Sequence, residues 1–413
     1  MAGKVNMDDL QHVPAQVGVS DAAFEVTSRR LASKSCPEFN PDEYPPLPSS
    51  LETVQLPIIS IDDLATPFPD KDSTLRLFEA CKSPGIFYLK PPGKMSHDRD
   101  NLVTRATDWI TKLEPAFHLP MEEKKKYCFI DSTRIFGYKE VGATVVDDVG
   151  TGDTSEFWNI SKIELLKKQS LHPIHSTRAG RYPEIIEDNS SSLVNFMQDC
   201  HLLCMIILSA IEKELGIRHE LQMKHEFSDR SGDHVRLARG PARVGQEIEI
   251  QTPAHTDFGT VTLLFNWLGG LQWRDPADLK WKWIAPKADH LLVNLGDAAS
   301  IFTGGLCKAP IHRVVPAPGE QGNYPRYSLG YFLRPGDKVI LNRLCAPTIP
   351  QGLPMPGMGL TAERWIAIKA EELGIGRQGL EDTNSRSQGL TFPKETCGTS
   401  TRKQMRTRNE NMG

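Results

Sequence analysis

Three side chains constrain the fold of this chain more than anything else in it. His255 and Asp257 stand in Ala254-His255-Thr256-Asp257-Phe258-Gly259, and His312 stands far downstream in Ala309-Pro310-Ile311-His312-Arg313-Val314. Residues two apart in an extended segment project from the same face. His255 and Asp257 therefore point one way together, and His312 can join them only from a second strand laid alongside. A chain that does this presents two imidazoles and one carboxylate to a single ion, the donor set that leaves coordination positions open on ferrous iron. A zinc hydrolase can use the same donors, but it would also need a general base beside the metal.

Arg326 and Ser328 repeat the two-residue step in Tyr324-Pro325-Arg326-Tyr327-Ser328-Leu329-Gly330-Tyr331-Phe332-Leu333. This alternating run reads as a strand ending at Arg334-Pro335. A buried guanidinium is costly unless paired, and its planar fork matches a carboxylate in bidentate geometry. With the Ser328 hydroxyl adding a hydrogen bond, the pair suits the far carboxylate of 2-oxoglutarate. A zinc hydrolase gives no reason for it.

Several further motifs fall in one order along the chain. Leu56-Pro57-Ile58-Ile59-Ser60-Ile61 reads as an opening strand, and Ala80 to Leu89 as a helix end followed by a second strand. Phe117 to Lys124 follows as a helix and loop. After the His-x-Asp pair come Gly270-Leu271-Gln272-Trp273, Trp283-Ile284-Ala285-Pro286 and Val293-Asn294-Leu295-Gly296-Asp297. With the metal triad and the Arg-x-Ser pair, this series resembles the 2-oxoglutarate- and Fe(II)-dependent dioxygenases of the isopenicillin N synthase-like type, including fungal members that decorate specialised metabolites. The resemblance runs from about residue 54 to 335.

The resemblance implies an α+β, mainly β fold, with a double-stranded β-helix (jelly-roll, cupin-like) core and flanking helices. It implies Fe(II) on His255, Asp257 and His312, and 2-oxoglutarate on Arg326 and Ser328. Oxygen is the other co-substrate and ascorbate the reductant in vitro. The activity implied is oxidation of a small organic molecule by hydroxylation, desaturation or ring rearrangement, with release of succinate and CO2. The alternative is an iron oxidase of the same fold that does not use 2-oxoglutarate.

Substrate contacts in such proteins come from the segments corresponding here to Ile135–Glu140 and His234–Pro241. Phe136, Tyr138, Phe157, Trp158, Arg239, Phe258 and Phe332 are the pocket candidates; Arg239 would hold an anionic or phenolic group if it faces the iron, and is otherwise an ordinary surface charge. One departure stands out. Plant-type relatives carry Asn-Tyr-Tyr-Pro where this chain has Ala238-Arg239-Gly240-Pro241, and Gly240 cannot supply the tyrosine hydroxyl that contacts the co-substrate. Asn294 or Tyr324 is expected to help instead.

Composition bounds the rest. At 39% hydrophobic and 24% charged, the 413 residues can bury one large core. A net charge of −4 leaves no basic footprint for nucleic acid. The longest apolar run, Leu202 to Leu208, is about two helical turns, short of the roughly 18 residues that span a bilayer. Met1-Ala2-Gly3-Lys4 begins no apolar signal region, so a cytoplasmic enzyme with a small-molecule substrate, monomeric or homodimeric, is expected. The eight cysteines include no Cys-x-x-Cys pair and are expected to be reduced. Cys200 and Cys204, flanking His201, read as a buried helix face.

Five regions are expected. Residues 1–53 form a flexible, Pro-rich arm, and 54–230 carry helices and substrate-facing loops, with helices near 73–82 and 97–115 and a long apolar helix near 190–215. Residues 231–335 form the jelly-roll core, 336–375 a C-terminal helical segment, and 376–413 a disordered tail.

Overall fold

Short runs rich in β-branched and aromatic residues, bounded by Gly, Pro and Asp, become strands that sort into two sheets. The structure, a computed structural model, describes residues 39–66, 69–93, 100–128, 135–147, 150–169, 182–242 and 250–372. The expected tail from 376 and residues 1–38 of the expected arm lie outside the described residues.

The strands in chain order are β1 (Ile58–Ser60), β2 (Ile86–Lys90), β3 (Gly137–Lys139), β4 (Glu156–Ser161), β5 (His234–Gly240), β6 (Thr252–His255), β7 (Val261–Asn266), β8 (Leu271–Arg274), β9 (Trp281–Trp283), β10 (Leu291–Leu295), β11 (His312–Val314) and β12 (Arg326–Leu333). One sheet runs β1-β2-β10-β7-β12-β5-β4-β3 and the other β6-β11-β8-β9. All neighbours are antiparallel except β1 with β2. This is the mainly β jelly roll with flanking helices that the sequence implies. Strands from both sides of residue 230 share the larger sheet.

Alternation along each strand separates two cores. On the helix side of the large sheet, Tyr327, Leu329, Tyr331 and Leu333 of β12 join Val235, Leu237, Trp158 and Ile160, all at most 1% exposed. The helices Lys71–Lys82, Leu102–Leu113 and Ser190–Leu215 cover this face. Asp70 and Asn101 cap the first two, each side chain accepting from two backbone N–H groups of the first turn. The third is long and apolar enough, by length and composition, to cross a membrane, yet 67% of its most apolar window is buried in the protein. Cys200, His201 and Cys204 all lie buried on it. It ends at Gly216, whose φ of +71° suits a residue without Cβ.

On the other side, Ile86, Tyr88 and Leu292 of the large sheet meet Leu271, Trp273 and Ile284 from the small sheet and its loop. The inner surface between the sheets is where polar side chains collect.

The expected arm is docked where it is described. Phe39 is buried, its ring centre 4.9 Å from that of Trp267 and 5.6 Å from that of Tyr327. Its N–H donates to Glu114, and Gln321 donates to the Pro45 carbonyl. Proline excludes a long helix and a central strand, and the segment forms only the single 3-10 turn Pro41–Glu43, but an aromatic anchor is enough to fix it.

Candidate active site

β6 and β11 are antiparallel neighbours, and their register sets His312 directly opposite His255. The two ring centres lie 4.4 Å apart. Ligand atoms of His255, Asp257 and His312 all fall within 4.8 Å of one another, and no other such group of three occurs among the described residues. Nδ1 of His255 lies 2.8 Å from the Pro253 carbonyl, and Nδ1 of His312 lies 3.1 Å from that of Pro310. A carbonyl only accepts, so Nδ1 carries the hydrogen in each ring and Nε2 keeps its lone pair for a metal.

Asp257 is oriented as narrowly. Its Oδ2 accepts from Thr262 Oγ1 at 2.6 Å and from Asn294 Nδ2 at 2.7 Å. Oδ1 remains, 3.7 Å from Nε2 of His255. Burial raises this carboxyl's pKa, but His312, His255 and the two hydrogen bonds outweigh it and hold the value below the ordinary one. Burial, then the neighbouring His312, pushes His255 down to about 4. Near neutral pH the site therefore offers a carboxylate and an unprotonated imidazole, which fits a divalent ion.

Arg326 and Ser328 share the inner face of β12, as their spacing predicts, paired across β5 with Gly240 and Ala238. The Arg326 Nε donates to the Gly269 carbonyl at 2.8 Å, while its Nη2 is buried with no partner among the described residues. Burial alone lowers its pKa, to about 10. A guanidinium buried without a counter-charge fits a carboxylate brought in by a ligand.

The space that a tyrosine would occupy at Gly240 is filled. A Cβ there would lie 2.2 Å from Oε1 of Gln251, whose Nε2 donates to the Pro241 carbonyl. Asn294 serves Asp257 rather than the co-substrate position. Tyr324 packs on Tyr44, ring centres 5.3 Å apart.

A pocket opens beside the triad, lined by Phe157, Arg236, His255, Asp257, Phe258, Phe332 and Arg334 among others. Of the pocket candidates, Phe157, Phe258 and Phe332 line it. The others are corrected. Arg239 and Tyr138 face the helix layer: Arg239 pairs with Glu156 at 2.8 Å, and Tyr138 is fully buried and donates to the same carboxylate. Trp158, 4.9 Å from the Tyr138 ring, is buried on that side too. Phe136 lines a second cavity with Ile135, Arg230 and Ile366, which shares Arg334 with the first. The reason is strand parity: Arg239 alternates with Ala238 and Gly240, and only the even-numbered residues of β5 face inward. Arg236 has that parity, and no local motif marks it, Arg334, Thr262 or Gln251 as residues of the site.

The family model for the 2OG-Fe(II) oxygenase superfamily matches residues 232–335. The model for the N-terminal region of the non-haem dioxygenase in morphine synthesis matches residues 56–178. The chain belongs to the 2OG-Fe(II) oxygenase superfamily and is a 2-oxoglutarate-dependent dioxygenase. A 2-oxoglutarate-dependent dioxygenase of Gibberella zeae is 28% identical over 313 residues, covering 72% of this chain and 84% of that protein. One of Aspergillus fumigatus is 29% identical over 334 residues, covering 75% and 83%. A full-length Neurospora crassa protein, solved in complex with alpha-KG, has the same fold, with a TM-score of 0.62 at 20% identity over 77% of this chain and 96% of that one.

Proposed function

We propose that His255, Asp257 and His312 hold Fe(II), that Arg326 and Ser328 hold the far carboxylate of 2-oxoglutarate, and that a small specialised metabolite is oxidised in the adjoining pocket. When bound, the iron with 2-oxoglutarate and oxygen supplies the oxidising power, and succinate and CO2 are the by-products. The protein's own part is placement and shielding. The inward-facing Nε2 atoms and Asp257 Oδ1 fix the metal position. Arg326 and Ser328 orient the co-substrate from β12, in the other sheet. Phe157, Phe258 and Phe332 wall the pocket with apolar surface that excludes water from the reacting carbon. The match to a dioxygenase region named for morphine synthesis supports a specialised-metabolite substrate.

The observation that carries the co-substrate assignment is Arg326, buried and lacking a carboxylate partner among the described residues. Calorimetric titration of anaerobic, metal-loaded protein tests it. Arg326→Ala is expected to weaken 2-oxoglutarate binding about 100-fold, the value of losing charge-assisted hydrogen bonds worth about 3 kcal/mol. An unchanged affinity would place the co-substrate elsewhere. Succinate release in air, with Fe(II), ascorbate and a panel of aromatic polyketides, terpenoids and amino acids, then tests turnover. An oxidase independent of 2-oxoglutarate would release none.

A further inference from the structure

Two arginines in the pocket beside the triad have no task in the reading above. Arg236, on the inner face of β5, has its guanidinium carbon 4.2 Å from the ring centre of Phe157 and 4.8 Å from that of Phe332. Its Nε donates to Asn159 Oδ1 at 2.8 Å. Arg334, just beyond β12, is 3% exposed and lies 5.7 Å from the ring centre of Phe258. Its Nε and Nη1 are buried with no hydrogen-bond partner among the described residues. Both side chains line the pocket with His255 and Asp257.

Neither arginine forms an ion pair among the described residues: Asp257, the carboxylate that attracts both, is turned to Thr262, Asn294 and His255, and the other nearby carboxylates have cations of their own. Asp233 pairs with Lys162 and Asp337 with Arg230, each at 3.0 Å, and Asp153 pairs with Lys139. Burial lowers the pKa of both arginines, and Arg236 lowers that of Arg334 further, yet both remain charged at neutral pH. Two unpaired guanidiniums in one cavity are costly to the free protein. Perturbed, unpaired charges in a cleft mark a functional site, and here they stand among three phenylalanines.

We infer that the substrate is a small organic anion with an apolar body. Its carboxylate is held by Arg236 and Arg334, and its body lies against Phe157, Phe258 and Phe332. This rests on the proposed function for the pocket's being the substrate site and deepens it by naming the substrate class. Charge and shape divide the work. Arg326, at the start of β12, serves the co-substrate, and Arg334, past the end of that strand, serves the substrate together with Arg236.

The test uses anaerobic, metal-loaded protein with saturating 2-oxoglutarate, so that Arg326 is engaged. Calorimetry then compares matched pairs: benzoate and benzamide, cinnamate and cinnamamide, indole-3-acetate and its amide, octanoate and octanamide. At least one carboxylate is expected to bind about tenfold or more tightly than its amide, the effect of charge-assisted hydrogen bonds. In Arg236→Met and in Arg334→Met that preference should fall to about twofold or less, with 2-oxoglutarate affinity retained. Removing an unpaired buried charge should leave the melting temperature of either variant at or above the wild-type value.

The wild-type comparison needs no variant. If no carboxylate binds more tightly than its amide, or if the preference survives intact in either variant, the inference is overturned. A protein that shows the preference but does not bind 2-oxoglutarate would instead overturn the co-substrate reading, which the same titration records separately.

Discussion

Asp257 gives one carboxylate oxygen to Thr262 and Asn294 and leaves the other turned toward His255. Those two donors are themselves cross-strand partners on β7 and β10, so the pairing of two strands fixes the angle of one ligand. Asn294→Ala should weaken Fe(II) binding about 10- to 100-fold, the usual cost of losing a group that orients a ligand. Anaerobic Fe(II) titration measures it, and wild-type affinity in the variant would show that Asp257 needs no such support. The triad and the Arg-x-Ser pair were legible in the sequence because a two-residue step is a local property of a strand. The sequence marks Asn294 only as a neighbour of the co-substrate. Its role depends on lying opposite Thr262, a register that no local pattern carries.

β10 continues into the turn that pins the Asp257 loop. The N–H groups of Gly296, Asp297 and Ala298 donate to the carbonyls of Thr260, Asp257 and Gly259. The approach is so close that a Cβ on Gly296 would lie 2.3 Å from the Gly259 carbonyl oxygen and 2.8 Å from that of Asp257. These are backbone atoms, and they cannot swing aside as a side chain can. Gly296→Ala should therefore cost about 1–3 kcal/mol of stability and weaken Fe(II) binding as well, because the segment that must shift carries a ligand. Thermal melts and metal titration of the same sample decide it. A variant that is destabilised but binds iron normally would mean that the loop yields without moving Asp257. The same scale explains the misplaced pocket residues. β5 was recognised as a strand, but His234-Val235-Arg236-Leu237-Ala238-Arg239 offers an arginine of each parity, and only pairing with β12 says which one faces the metal.

At the scale of the whole fold, four imidazoles among the described residues have lowered pKa values. Burial is the largest cause for each; His201, His225 and His255 are brought to about 4, and His234 lies well below its ordinary 6.5, with Arg334 adding to the burial. In the unfolded chain each takes up a proton as pH falls through about 6.5, whereas in the folded protein each stays neutral down to about 4 or lower. The unfolded state thus binds more protons in that window, and stability must fall as pH falls. Asp153 and Asp297, whose pKa values burial raises, act in the opposite sense, gaining stability on protonation, but they are two against four. The lowered carboxyls of Asp233, Glu156 and Asp257 add to the loss only below their ordinary values, 3.8 for the aspartates and 4.5 for Glu156. Metal-free protein should therefore keep its melting temperature between about pH 8 and 7 and lose it progressively from about 6.5 to 4.5. His225→Asn, which removes one of these imidazoles away from the metal site, should flatten that decline by about one proton's share, about 1.4 kcal/mol per pH unit in the window. A melting temperature that holds constant down to about pH 5 would mean that these histidines are solvated or protonated in the folded state, and that His255 is not held as the neutral donor a metal requires.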